Sequence, residues 1–160
     1  MIAYLADSGV DATHIASYRW QNFIIYSGRV GEDGVIRAYG TDFGIMPGEG
    51  YFIKSNNSES AALSGYLASE SVPISLTAGW NLVGFYKHGK ETLEAYSVLE
   101  AIEDSNIPAD ILTKRENSRY VSVIRDNSTV YGDNFDVYQW RGYWVRVGND
   151  GGFTEKTYTP

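Results

Sequence analysis

The stretch Leu5-Ala6-Asp7-Ser8-Gly9-Val10-Asp11-Ala12 returns later in the chain as Ile102-Glu103-Asp104-Ser105-Asn106-Ile107-Pro108-Ala109, with Asp, Ser and Ala in register. The shift between the two is 97 positions (102 − 5), and under it Phe23 falls on Tyr120. A second run, Tyr39-Gly40-Thr41-Asp42-Phe43-Gly44-Ile45, matches Tyr131-Gly132-Asp133-Asn134-Phe135-Asp136-Val137 at a shift of 92 (131 − 39). Gly50-Tyr51-Phe52-Ile53-Lys54 matches Gly142-Tyr143-Trp144-Val145-Arg146 at that same shift. The difference of five is absorbed between Tyr26 and Tyr39, where Ser27 to Gly34 reads as a longer hairpin loop. A chain that repeats itself folds as copies of one supersecondary unit, and this limits the architecture more than any other feature. The expected organisation is two tandem homologous modules, residues 1–68 and 69–160, meeting in the Ser- and Ala-rich stretch Leu63–Val72.

The second half is the fuller copy. Ile74-Ser75-Leu76 and Trp80 to Phe85 read as short strands about the Ala78-Gly79 turn, with the Asn81 amide suited to tying down loop backbone. Glu91 to Asp104 carries the helical period: Leu93, Tyr96, Leu99 and Ile102 recur every three residues, and Ala95 and Val98 widen the apolar face. Asn106 and Pro108 stop it. Ile111 to Arg115 and Tyr120 to Arg125 form a hairpin around Glu116-Asn117-Ser118, and Asp126-Asn127-Ser128 is a further turn. Tyr143 to Val147 is a last strand with Tyr143, Val145 and Val147 on one face. The first half follows the same order from a helix-like start, through His14 to Trp20, a Gln21-Asn22 turn, Phe23 to Tyr26 and Tyr51 to Lys54. It lacks the paired opening strands. With 17 Gly, 13 Tyr and 4 Trp, the composition favours sheet and tight turns. The fold class expected is α+β and β-rich, each module a small antiparallel curved sheet or partial barrel with one helix.

Charge and composition narrow the function. The net charge is −7, and acid exceeds base in both halves, so the footprint of a phosphate backbone is absent and nucleic acid is not an expected partner. Without cysteine, disulfides and thiolate zinc sites are excluded. Met1-Ile2-Ala3-Tyr4 has no basic start, and Asp7 and Asp11 interrupt any apolar run, so it does not read as a signal peptide. No stretch reaches the apolar length of a spanning helix, and membrane insertion is not expected. Met1 is either a true start or the cut end of a longer array.

Few residues carry a chemical signature. Gly84 to Glu91 fits G-x-x-x-x-G-K between a strand and a helix, the setting of a phosphate-cradling loop. Glu91 replaces the magnesium-binding hydroxyl, and the chain has no βαβ alternation, so a strand-to-helix turn is the expected role. His14 and His88 occupy non-equivalent places in the repeat and have no spaced partner for a metal. Asp133 and Asp136 offer oxygens to calcium but fall short of a recognised ligand count. No cofactor is expected.

The repeat sorts the aromatics. Positions aromatic in both halves are expected in the core: Phe23 and Tyr120, Tyr39 and Tyr131, Phe43 and Phe135, Tyr51 and Tyr143, Phe52 and Trp144, together with Trp80. Tyr18, Trp20, Tyr138 and Trp140 have no counterpart and are the candidate ligand-binding residues, with Arg141 beside Trp140. Flat aromatic faces next to Arg and Asn suit a sugar or peptide. The competing account packs Trp140 against the rest of the fold, the commoner fate of so large a side chain.

Leu76-Thr77-Ala78-Gly79-Trp80-Asn81-Leu82-Val83-Gly84, then a helix, then Pro47-Gly48-Glu49-Gly50-Tyr51-Phe52-Ile53-Lys54 or its counterpart Gln139 to Arg146, resembles the tandem β-rich modules of large bacterial secreted and cell-surface proteins. The resemblance implies extracytoplasmic display and a non-catalytic role in adhesion, glycan binding or spacing, with a glycan, a surface protein or neighbouring modules as partners. The alternative is a self-assembling fibre or surface-layer subunit that completes its sheet by strand addition. A nucleotide-binding enzyme is the remote third reading.

Overall fold

A computed structural model describes residues 1–62, 73–85, 93–127, 129–139 and 141–154. The junction at Leu63–Val72, most of the G-x-x-x-x-G-K loop with His88, the helix start at Glu91, Ser128 and Trp140 lie outside the described residues. The chain divides into two compact units: one holds residues 1–45 and 51–62, the other 46–50 and the described residues from 73 onward.

In the smaller unit, helix α1 (Ile2–Asp7) leads into strands β1 (Ala12–Arg19), β2 (Asn22–Val30), β3 (Ile36–Gly40) and β4 (Tyr51–Ser55). They form one antiparallel sheet in the order β3-β2-β1-β4. The first hairpin closes on Trp20 and Gln21, both left-handed (φ 52° and 62°), one residue before the expected turn. That backbone matches the right-handed strand twist, and the Asn22 amide secures it by donating to the Trp20 carbonyl at 2.9 Å. The second hairpin has its loop at residues 31–35 rather than Ser27 to Gly34, because Ser27 to Val30 pair with β3 and extend β2. Its loop is stapled by Asp33, whose carboxylate accepts from the Val35 amide at 3.1 Å and from Arg37 at 2.8 Å.

Among its described residues the larger unit has nine strands and a helix: β5 (Pro73–Leu76), β6 (Gly79–Gly84), β7 (Leu93–Glu94), α2 (Ala95–Glu103), β8 (Ala109–Glu116), β9 (Arg119–Asp126), β10 (Thr129–Gly132), β11 (Asp136–Val137), β12 (Gly142–Val147) and β13 (Gly151–Thr154). Its main sheet runs β10-β9-β8-β12-β6, with two-stranded ribbons β11-β7 and β13-β5, and none of the sheets closes on itself. The helix expected from Glu91 begins at Ala95. Leu93 and Glu94 are extended and pair with Val137 and Asp136, because sheet pairing claims their backbone first. The apolar stripe Val98, Leu99 and Ile102 is buried in one core with Leu112, Val123, Tyr143 and Val145. The same alternation that sends Tyr143, Val145 and Val147 inward leaves Trp144 and Arg146 on the other face.

Three local details occur in both units. The α1 and α2 ends match: Ser8 and Ser105 hydroxyls donate to the carbonyls of Tyr4 and Ala101, and Gly9 and Asn106 follow with φ of 84° and 61°. Each central strand shifts register once against its partner, at Ala12–His14 in β1 and opposite Arg146–Val147 in β8. Gly40 and Gly132 (φ 91° and 84°) each lie so close to a neighbouring strand that a Cβ would sit 2.2 Å from a carbonyl oxygen, of Ile25 and Ser122 respectively. Only glycine fits there without moving the strand.

The shared aromatics require a correction. Phe135 and Tyr143 are buried as expected, and Phe43, Tyr51, Phe52, Trp80 and Trp144 are half-buried. Phe23, Tyr39, Tyr120 and Tyr131, by contrast, are 52%, 69%, 62% and 54% exposed. Each stands on the strand face opposite the core, since Val121 and Val123 take the inward positions of β9.

Candidate functional site

Strand β8 ends with Lys114, Arg115 and Glu116 before the left-handed pair Asn117-Ser118 turns the chain into β9. Lys114 and Glu116 are two apart and share a face. Strand β12 runs antiparallel to β8 with Tyr143 opposite Lys114. Continued two residues back, this register sets Arg141 beside Glu116, where the guanidinium lies 3.5 Å from the carboxylate. Lys114 reaches the same carboxylate at 3.0 Å. The hydrogen bond and charge of Lys114, seconded by Arg141, hold the Glu116 carboxyl below the usual carboxylate range.

The far wall comes from residues 134–138. Asn134 accepts the Tyr96 amide at 2.9 Å and donates to Glu94 at 2.9 Å, so its side chain fixes the start of α2. Phe135 stacks on Tyr143 (centroids 6.2 Å apart, planes 8°), and the Lys114 ammonium sits 5.0 Å above the Phe135 ring. The Tyr143 hydroxyl accepts the Tyr138 amide at 2.7 Å, and burial pushes the Tyr143 phenol above its ordinary value. Tyr138 donates to Asp136 at 3.3 Å, and the Arg141 guanidinium lies 5.4 Å from its ring centre. Together Lys114, Glu116, Asn134, Phe135, Asp136, Tyr138 and Arg141 line an open cleft of about 450 Å³. Its two cations and two carboxylates balance, and Phe135 and Tyr138 make the aromatic part of its lining.

Two of the candidate residues, Tyr138 and Arg141, therefore meet in one cleft. Trp140, between them in sequence, lies outside the described residues. Tyr18 and Trp20 belong to the other unit, at the tip of the β1–β2 hairpin. Tyr18 packs edge-on against Phe23 (5.0 Å) and donates to the Gln21 side chain at 3.2 Å, while Trp20 is 74% exposed. Asp136 turns to Tyr138, and among the described residues no three His, Asp or Glu side chains converge on a point as cation ligands would. Lys114 and Glu116 are not among the residues expected from sequence. Nothing in their local sequence marks them, and only strand register brings them to Arg141.

The smaller unit contains a related cluster. Phe43 stacks on Tyr51 (6.0 Å, 5°), and the Arg19 guanidinium lies 5.6 Å from the Phe43 ring centre while donating to the Gly44 carbonyl at 2.8 Å. A parallel aromatic pair capped by a cation thus occurs in both units. Compared with known proteins, the chain matches no family model, no curated protein and no solved structure.

Proposed function

We propose that the chain is two copies of one non-catalytic β-rich module from a bacterial secreted or surface protein, and that the larger unit binds a neutral carbohydrate in its cleft. Several features support the duplication: the common strand orders β3-β2-β1-β4 and β10-β9-β8-β12, the matched glycines Gly40 and Gly132, and the cation-capped stacks Phe43–Tyr51 and Phe135–Tyr143. Surface display rests on the resemblance of the Leu76–Gly84 and Pro47–Lys54 motifs to modules of such proteins.

One observation carries the ligand reading: the Tyr138 ring, steadied by Arg141, on the wall of a cleft whose charged groups neutralise one another. An aromatic face stacks on the C–H face of a sugar ring, and Asn134, Asp136 and Glu116 lie within the same cleft to meet hydroxyls. A balanced site produces little field to select an ion.

Titration of the isotopically labelled protein with neutral oligosaccharides tests this by NMR. Shifts should concentrate at Tyr138, Arg141 and Lys114, and should vanish in Tyr138→Ala but persist in Trp20→Ala. A blank glycan panel, or shifts that survive Tyr138→Ala, would overturn it.

A further inference from the structure

The topology makes one difference between the units directly comparable. In the larger unit Leu93 and Glu94 pair with Val137 and Asp136, and the Ala95 amide then donates to the Phe135 carbonyl at 2.8 Å. Leu93 packs against the core, and Val137 is left only 5% exposed. The corresponding backbone of the smaller unit is Phe43-Gly44-Ile45. Among its described residues no strand pairs with Gly44 or Ile45, and Ile45 is 45% exposed. Beside it lies a cavity of about 200 Å³ whose apolar lining is Met1, Ile2, Ile15, Tyr26, Phe43 and Ile45, with Ala3 and Asp42 completing it. The six apolar positions correspond to Val98, Leu99, Leu112, Val123, Phe135 and Val137, which in the larger unit are buried in one core against Leu93.

We infer that this groove docks a short extended peptide segment with the chemistry of Leu93-Glu94-Ala95. The segment adds a strand to Gly44-Ile45, seats an aliphatic side chain in the cavity, and presents a small residue whose amide reaches the Phe43 carbonyl. This is peptide recognition by strand addition: the main chain supplies affinity and one apolar socket supplies selectivity. The occupant is fixed by the larger unit, where a segment of this kind fills the equivalent space. The inference rests on the two-copy reading above.

Fusing Leu-Glu-Ala-Tyr-Ser to the amino end of the 160-residue chain tests it, since Met1 lines the groove and a short tether holds a peptide at an effective concentration of about millimolar. Amide hydrogen exchange at Ile45 should slow by about tenfold or more, as it does when an open strand gains a partner, and a Gly-Ser fusion of equal length should leave it unchanged. Equal exchange in the two fusions overturns the docking site. Leu93→Ala in the parent chain is the reference arm and should speed exchange at Val137 by about tenfold. If Val137 does not respond, the equivalence of the two grooves fails and the inference with it. If Val137 responds and Ile45 does not, docking alone is lost and the two-copy reading stands.

Discussion

Replacing Asn81 with alanine removes a whole turn's worth of hydrogen bonds at one stroke. The Asn81 side-chain oxygen accepts the Thr77 amide at 2.9 Å, and its nitrogen donates to the carbonyls of Thr77 at 2.8 Å and Gly79 at 3.1 Å. The side chain is nearly buried, so water cannot replace it freely. Each such bond contributes about 1 kcal/mol net, and a buried group left without a partner costs about 1–3 kcal/mol. The expected loss is therefore about 2–4 kcal/mol, a large part of the roughly 5–15 kcal/mol that holds a domain folded. Urea unfolding followed by tryptophan fluorescence measures it. Trp80 and Trp144 lie in the larger unit and Trp20 in the smaller, so a Trp20→Phe background assigns the signal. The midpoint should fall with an unchanged denaturant slope. Asn81→Asp keeps the acceptor for the Thr77 amide but sets a carboxylate oxygen against the Thr77 and Gly79 carbonyls, and it should also be clearly less stable than the parent. A loss below about 0.5 kcal/mol in Asn81→Ala, the range of an ordinary surface change, would refute this account of the turn, as would an aspartate variant as stable as the parent.

Two further outcomes follow from backbone geometry and burial. Gly132→Ala should cost more than Gly9→Ala by over about 1 kcal/mol: both have positive φ, but a Cβ at Gly132 meets the Ser122 carbonyl at 2.2 Å while one at Gly9 meets nothing within 4 Å. Equal losses by chemical denaturation would show that the close approach relaxes without cost. The Tyr143 phenol is held above its ordinary value by burial, so its contribution to stability is complete below the unfolded tyrosine value of about 10 and is lost as pH rises through the raised folded value. Phenolate absorbance should show one late-titrating tyrosine that Tyr143→Phe removes. If Tyr143→Phe leaves the titration unchanged, the ring is not sequestered.

The internal similarity was legible because positions related by the two shifts keep their chemistry. Leu5 to Ala12 and Ile102 to Ala109 anticipated matched helix ends, and the five extra residues anticipated a longer second hairpin, although Ser27 to Val30 belong to its strand and not to its loop. The repeat also anticipated shared environments, but not which environment each was. Phe23 and Tyr120 do share one, the solvent face, although their conservation of aromatic character suggested a core. The period of two along β9 carries the missing information, since Val121 and Val123 occupy the inward positions. In the cleft, Tyr138 stood out because it lacks an aromatic counterpart in the first half, and Arg141 because it stands beside Trp140, whereas Lys114 and Glu116 looked like ordinary strand-end charges.

What the sequence determined by itself was local: the left-handed turns, the strand alternation, the apolar stripe of α2 and the Asn81 tie. Each depends on residues a few positions apart, and its energetics close within that span. Tertiary structure decided the start of α2, where pairing with Val137 and Asp136 drew Leu93 and Glu94 out of a helical pattern. It decided the cleft too, because only the register of β12 on β8 brings Arg141 to Glu116, 25 positions earlier in the chain (141 − 116). Sheet pairing satisfies backbone groups wherever a partner strand arrives, and the partner's arrival is written in the packing of the whole core rather than in any local run.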